Sequence, residues 1–136
     1  MQSKLGHLQF NVQPANVPFY KDLLGAMGWQ TLVATDTMLG AGDPNGVSLW
    51  FIGHVKAVTN DYDGPGMNHL ALAVDDQATV DEAAAYLTAR GVPLLFETPR
   101  HRPDFAQSPD HTYYQIMFES PDRILLEVVY IGLKAA

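Results

Sequence analysis

Three residues of this 136-residue chain have the type and setting to hold a metal ion. Glu127 is the one carboxylate in RILLEVVYIG (123–132), a stretch otherwise suited to a β-strand. Removing an ionised carboxylate from water costs on the order of several kcal/mol unless it meets a cation, a metal or strong donors. His7 and His69 hold matched places in GHLQFNV (6–12) and NHLALAV (68–74), which share the pattern His-Leu-x-apolar-x-Val. Two neutral imidazoles and one carboxylate on rigid strands, with positions left open, make a facial triad. That triad suits Fe(II) or Mn(II), and also zinc or nickel. A divalent cation would supply the counter-charge that lets Glu127 sit among aliphatic residues.

The elements that must position these donors are written twice. In each copy a helical stretch follows the histidine strand. In the first, Tyr20, Leu23, Leu24 and Met27 recur at helical spacing and Gly28 stops the helix. In the second, TVDE (79–82) reads as a capping box, Val80, Ala84 and Leu87 form the apolar stripe, and Gly91 closes it. Short apolar segments broken by turns come next: 29–35, 37–42 and 47–53, then 92–98, 111–118 and 124–131. DPNG (43–46) and SPDR (120–123) occupy the same turn before the last strand of each copy. The order is strand–helix–strand–strand–strand, twice. Module one spans about 4–55 and module two about 67–132. The turn-rich stretch between them, about 56–66, reads as a linker within one domain of 1–136.

Alternation along a strand puts His7, Gln9 and Asn11 on one face and Leu8, Phe10 and Val12 on the other. The aliphatic faces are beds for the helices, and the histidine faces look toward a cavity. Aligning the closing strands through Pro44 and Pro121 sets Trp50 against Glu127. His7, Trp50, His69 and Glu127 are then four equivalent positions around that cavity, and three of them can bind metal. Gln9, Asn11 and Trp50 are expected to line the substrate pocket.

Composition narrows the function classes. The net charge is −7, with 8 Lys+Arg against 15 Asp+Glu and no basic cluster, which argues against nucleic acid or an anionic membrane as partner. No cysteine is present, so thiolate chemistry and Cys-ligated centres are excluded and any metal must be held by His, Asp or Glu. No apolar run approaches membrane-spanning length and MQSKLGHLQF has no signal-peptide core, so a cytoplasmic protein is expected.

GHLQFNV followed by FYKDLLGAMGW, MNHLALAVDD, and YYQIMFESPDRILLEVVY together resemble the vicinal oxygen chelate superfamily across nearly the whole chain. That superfamily includes glyoxalase I, extradiol dioxygenases, fosfomycin-resistance transferases and bleomycin-binding proteins. The resemblance implies an α+β fold of two tandem βαβββ modules. They would form a cupped mixed sheet around a central cavity, with the helices outside. It also implies that His7, His69 and Glu127 match the family's metal-ligand positions, and that the protein is a homodimer. Glyoxalase I enzymes carry a fourth ligand where this chain has Trp50, an aromatic that resembles the fosfomycin-resistance branch instead.

The expected function is therefore a small metal-dependent enzyme, a lyase or isomerase or a dioxygenase. It would chelate two oxygens of a small substrate on a divalent ion (Fe, Mn, Zn or Ni). The alternative is a metal-free, bleomycin-resistance-like binding protein with aromatic walls. His111, Tyr113 and Tyr114 precede Glu127 on the neighbouring strand and are candidates for acid–base work, although alternation can aim only His111 with Tyr113, or Tyr114, into the cavity. Arg100 and Arg102, in the long loop 98–110, could hold a carboxylate or phosphate of the substrate. His54 and His101 read as surface residues.

Overall fold

The computed structural model describes residues 1–53 and 56–136, and the chain divides into two compact units, Met1–Thr59 and Asn60–Ala136. His54, read as a surface residue above, lies outside the described residues. Among the described residues no helix is long and apolar enough to cross a membrane.

Unit one runs β1 (His7–Asn11), α1 (Val17–Ala26), β2 (Gln30–Ala34), β3 (Met38–Gly42) and β4 (Ser48–Ile52). Its four-stranded sheet has the order β1-β4-β3-β2, with β1 parallel to β4 and the other pairs antiparallel. The helix buries Val17, Tyr20, Leu23 and Leu24. Tyr20 stacks on Phe51 with ring centroids 4.2 Å apart, and Phe51 stacks on Phe10 at 5.1 Å. Each such apolar side chain contributes about 1.5–3 kcal/mol when fully buried. Met27 caps the helix, and Gly28 follows at φ +85°, a conformation in which a side chain would be strained.

Unit two repeats the plan: β5 (His69–Ala73), α2 (Gln77–Ala89), β6 (Arg100–His101), β7 (His111–Glu119) and β8 (Leu125–Leu133). The sheet order is β5-β8-β7-β6, with β5 parallel to β8. Both sheets are mixed and open, so the α+β fold with tandem βαβββ modules expected from the sequence is found. The histidine strands share one burial pattern: the third residue after the histidine is buried, and the histidine itself is exposed.

Three local expectations change. The cap of α2 is Asp76 rather than Thr79: its Oδ1 accepts from both the Thr79 N–H and the Thr79 hydroxyl at 2.8 Å. A short carboxylate three residues ahead of a free N–H is the better cap. Segment 92–98 is not a strand, because Pro93 has no N–H to donate and Phe96 and Glu97 take positive φ of 56° and 59°. It is held beside β7 by Leu95 N–H to Met117 O (2.8 Å) and Met117 N–H to the Thr98 hydroxyl (3.0 Å). Finally, Tyr62, in the stretch read as a linker, is a core residue of unit two. It packs with Met117, Leu125 and Leu95, and its hydroxyl donates to Glu119 over 2.8 Å.

The paired turns use the same device with different residues. Asp43 Oδ1 accepts from the N–H groups of Asn45 and Val47, each at 2.9 Å. Ser120 Oγ accepts from those of Asp122 (3.2 Å) and Ile124 (3.1 Å). The fourth position is left-handed in both, Gly46 at φ 85° and Arg123 at φ 56°.

Candidate functional site

Glu127 is the third residue of β8, flanked by Ala71 of β5 and Met117 of β7. Paired residues share a sheet face, so His69, Tyr113, Gln115 and Met117 lie on the Glu127 face, while Tyr114, Ile116 and Phe118 lie on the α2 face. Glu127 is only 1% exposed. Such burial demands partners for both oxygens, and they are present. Oε1 accepts from the Tyr113 hydroxyl at 2.6 Å and from Gln115 Nε2 at 2.7 Å. Oε2 faces His69 Nε2 at 2.9 Å.

The neighbouring amide fixes the tautomer of His69. Asn68 Nδ2 donates to the Tyr62 carbonyl at 3.0 Å, which turns Oδ1 of the same amide toward His69 Nδ1 at 2.7 Å. An amide oxygen can only accept, so Nδ1 carries its proton. Nε2 therefore directs at Glu127 either a lone pair, which needs a cation or a carboxyl proton beside it, or the proton of an imidazolium. Nitrogen and oxygen ligands at adjacent corners of an octahedral ion, each about 2.1 Å from it, stand about 3 Å apart, and at tetrahedral corners about 3.4 Å. The observed separation fits that donor pair as well as it fits a hydrogen bond.

Around this pair a chain of contacts runs outward. Arg102 Nη1 donates to Gln115 Oε1 at 3.3 Å, and Arg102 Nη2 donates to Asp104 Oδ2 at 3.1 Å. Its guanidinium lies 4.4 Å over the Phe105 ring, which meets Tyr113 edge-on at 5.4 Å. Hydrogen bonding from Arg102 holds the Asp104 carboxyl below the usual aspartate range. Burial, then the hydrogen bond to Glu127, pushes the Tyr113 phenol well up, so it remains a protonated donor.

The other residues singled out in the sequence fall elsewhere. Tyr114 is on the helix face and donates to Asp81 of α2 at 2.7 Å; burial, then that bond, pushes its phenol up to about 12. Arg100 is exposed, 3.8 Å from Glu97. His111 stands at the start of β7 and pairs with Leu133, bonded to Ser108 and Asp110 rather than to Glu127. His101 is tied to Thr112 and rests against the Tyr114 ring.

In unit one, His7, Gln9 and Asn11 alternate along β1 and are all exposed. Trp50 lies on their face, with Nε1 donating to the Ser48 hydroxyl at 2.9 Å. Its ring covers Gly40 so closely that a Cβ there would meet it at 2.4 Å. Among the described residues, neither unit by itself gathers three His, Asp or Glu side chains in a metal-binding group.

Gln115 and Asn68 carry the geometry of the cluster and were not singled out from sequence. Gln115 offered the same signal as Glu127, a polar side chain inside an apolar strand, at a position alternating with Tyr113.

The profile of the Glyoxalase/Bleomycin resistance protein/Dioxygenase superfamily matches residues 4–128. The chain belongs to this superfamily. A curated relative, the uncharacterized protein YqjT of Bacillus subtilis, is 39% identical over 64 residues. That match takes in 47% of this chain and 46% of the relative, so it spans less than half the length of either.

Among solved structures, a Bacillus halodurans protein whose glyoxalase assignment is itself provisional is 28% identical. It superposes with a TM-score of 0.77 over 95% of this chain and 96% of its own. The genomically encoded fosfomycin resistance protein of Listeria monocytogenes has the same fold at 18% identity, with a TM-score of 0.64 over 96% of this chain and 94% of its own.

The two modules of this superfamily member carry their repeat into the strand register. Gln9 pairs with Trp50 in unit one, and Ala71 pairs with Glu127 in unit two. Trp50 therefore occupies the place in its module that Glu127 occupies in the other, as the turn alignment expected.

Proposed function

We propose that this protein is a small metal-dependent enzyme of the glyoxalase/dioxygenase type, in which His69 and Glu127 are two ligands of a divalent ion. The observation that carries this reading is the His69 Nε2 to Glu127 Oε2 approach of 2.9 Å, with the Nδ1 proton already committed to Asn68. His7 holds in unit one the place that His69 holds in unit two, the position expected of a third donor, and Trp50, Gln9 and Asn11 share its strand face. A homodimer is part of this reading, and the exposed Ile131 and Leu133 at the end of β8 are apolar surface that a second copy would cover.

A bound divalent ion supplies Lewis acidity and open positions for two vicinal oxygens of a small substrate. The chain's own residues do the rest. Tyr113 and Gln115 occupy Oε1 and so leave Oε2 as the liganding oxygen. Asn68 holds the His69 ring in the tautomer that presents Nε2. Tyr113, kept protonated, is a hydrogen-bond donor at the carboxylate rather than a general base. Arg102 braces Gln115 while Asp104 and Phe105 hold its guanidinium, so the anion-binding part expected of Arg102 would require release from Asp104. The reaction is a lyase, isomerase or oxygenase step on such a substrate.

One observation favours a second reading. Every buried oxygen of Glu127 has a protein partner, so the His69–Glu127 pair can stand as a closed ion pair in a metal-free binding protein. Titration with Co(II) separates the two. A saturable visible absorption band that disappears in His69→Ala supports the enzyme reading, and no band at millimolar Co(II) in folded protein supports the binding protein.

A further inference from the structure

Unit two contains a cavity of about 780 Å³ that the proposed metal chemistry does not use. It is lined by His101 of β6, by Pro103 and Ser108 of the loop that follows, by His111 and Thr112 of β7, and by Gln77 and Lys134. None of His69, Tyr113, Gln115 or Glu127 lines it. Its volume falls within the range of about 300–1,000 Å³ common for small-molecule sites.

Two features give this cavity a chemical preference. The first is charge. The chain has 15 acidic against 8 Lys+Arg residues, yet the one charged residue of the lining is Lys134, and the nearby Asp110 carboxylate is taken up by Ser108 and His111. The second is order. His101 Nδ1 is bonded to the Thr112 hydroxyl at 2.5 Å, and its ring sits 4.5 Å from that of Tyr114. His111 Nδ1 is bonded to the Ser108 hydroxyl at 2.7 Å and to Asp110 at 3.0 Å.

The C-terminal wall is pinned by Lys134 N–H to Asp110 O at 2.9 Å and Ala135 N–H to Gln77 Oε1 at 2.8 Å. Both rings are thus held through Nδ1, and neither Nε2 has a hydrogen-bond partner among the described residues. Nor does the Lys134 ammonium lie within salt-bridge distance of a carboxylate among them. Pro103, Ala106, Pro109 and Ala135 supply apolar walls for the rest of a ligand.

We infer that this cavity is a second binding site, for a small organic carboxylate. The anionic group meets the Lys134 ammonium and the Nε2 edge of His101, whose Nδ1 can accept the Thr112 hydroxyl proton and leave the ring proton on Nε2; the His111 ring stands beside it, and the apolar body lies against the prolines and alanines. The site gives His111 and the 98–110 loop a role apart from the metal cluster.

The test is titration of the whole protein with benzoate, hexanoate and uncharged benzamide, following the imidazole Cε1–H resonances by NMR. Benzoate or hexanoate should shift the His101 and His111 signals saturably at millimolar concentration and leave His69 unmoved. Lys134→Ala, a change at an exposed residue, should weaken that binding about tenfold, the loss of one charge-assisted contact. Glu127→Gln should retain it. Any of three results overturns the inference: no saturable shift with either carboxylate, equal binding of benzamide, or shifts centred on His69.

Discussion

Gln115 donates from Nε2 to Glu127 Oε1 over 2.7 Å while its own Oε1 accepts from Arg102, so one buried amide links the carboxylate to the loop 98–110. Gln115→Leu keeps the volume and removes that donor. A charge-assisted hydrogen bond contributes about 1.5–3 kcal/mol, and a loss of that order is expected in urea unfolding. Gln115→Glu should cost more, because it sets a second carboxylate against Glu127. Equal stability of all three proteins would show that the amide carries no such burden.

The two tyrosines of β7 should behave oppositely. Tyr113→Phe removes a donor to the proposed ligand and is expected to lower metal affinity about tenfold or more, the usual cost of losing a residue that orients a ligand. Tyr114→Phe breaks only the bond to Asp81 on the helix face and should leave metal affinity unchanged. Calorimetric titration with Mn(II) or Zn(II) reads both.

Hydrogen bonds from Thr79 depress the Asp76 carboxyl in the folded protein. A depressed folded value means the cap stabilises above the unfolded aspartate pKa, and that stability is lost as pH falls through the folded value. Asp76→Ala should therefore melt below the parent at neutral pH. The two melting temperatures should converge in strong acid, as followed by circular dichroism.

Trp50 fills the space that a side chain on Gly40 would need. Gly40→Ala should cost about 1–3 kcal/mol by overpacking or displace the indole. A changed tryptophan emission together with a lowered unfolding midpoint is the expected result.

Much of this arrangement was legible because the repeat supplied an internal alignment. His7 with His69, Pro44 with Pro121, and Trp50 with Glu127 are matched positions, and strand register keeps the last pair equivalent. Alternation divided Tyr113 from Tyr114 but left open which faced the carboxylate; only the pairing of β7 with β8 decides it.

Side-chain capping was less visible. Asp76 and Thr79 are both good cap residues, and their competition is settled by the two hydrogen bonds that Asp76 Oδ1 accepts from Thr79. Segment 92–98 has strand-like apolar residues, but two left-handed backbone positions, which composition does not reveal, break it. Tyr62 hid in a turn-rich stretch because its burial depends on Met117 and Leu125, far along the chain.

The central claim is that His69 and Glu127 hold a divalent metal. The direct measurement is elemental analysis of protein purified without chelator or affinity tag, as the parent chain and as His69→Ala, Glu127→Ala and Glu127→Gln. Near-stoichiometric iron, manganese, zinc or nickel in the parent, lost in the folded variants, is the expected result. Absence of metal from the parent even after reconstitution, or its undiminished retention in folded Glu127→Ala, would contradict the claim.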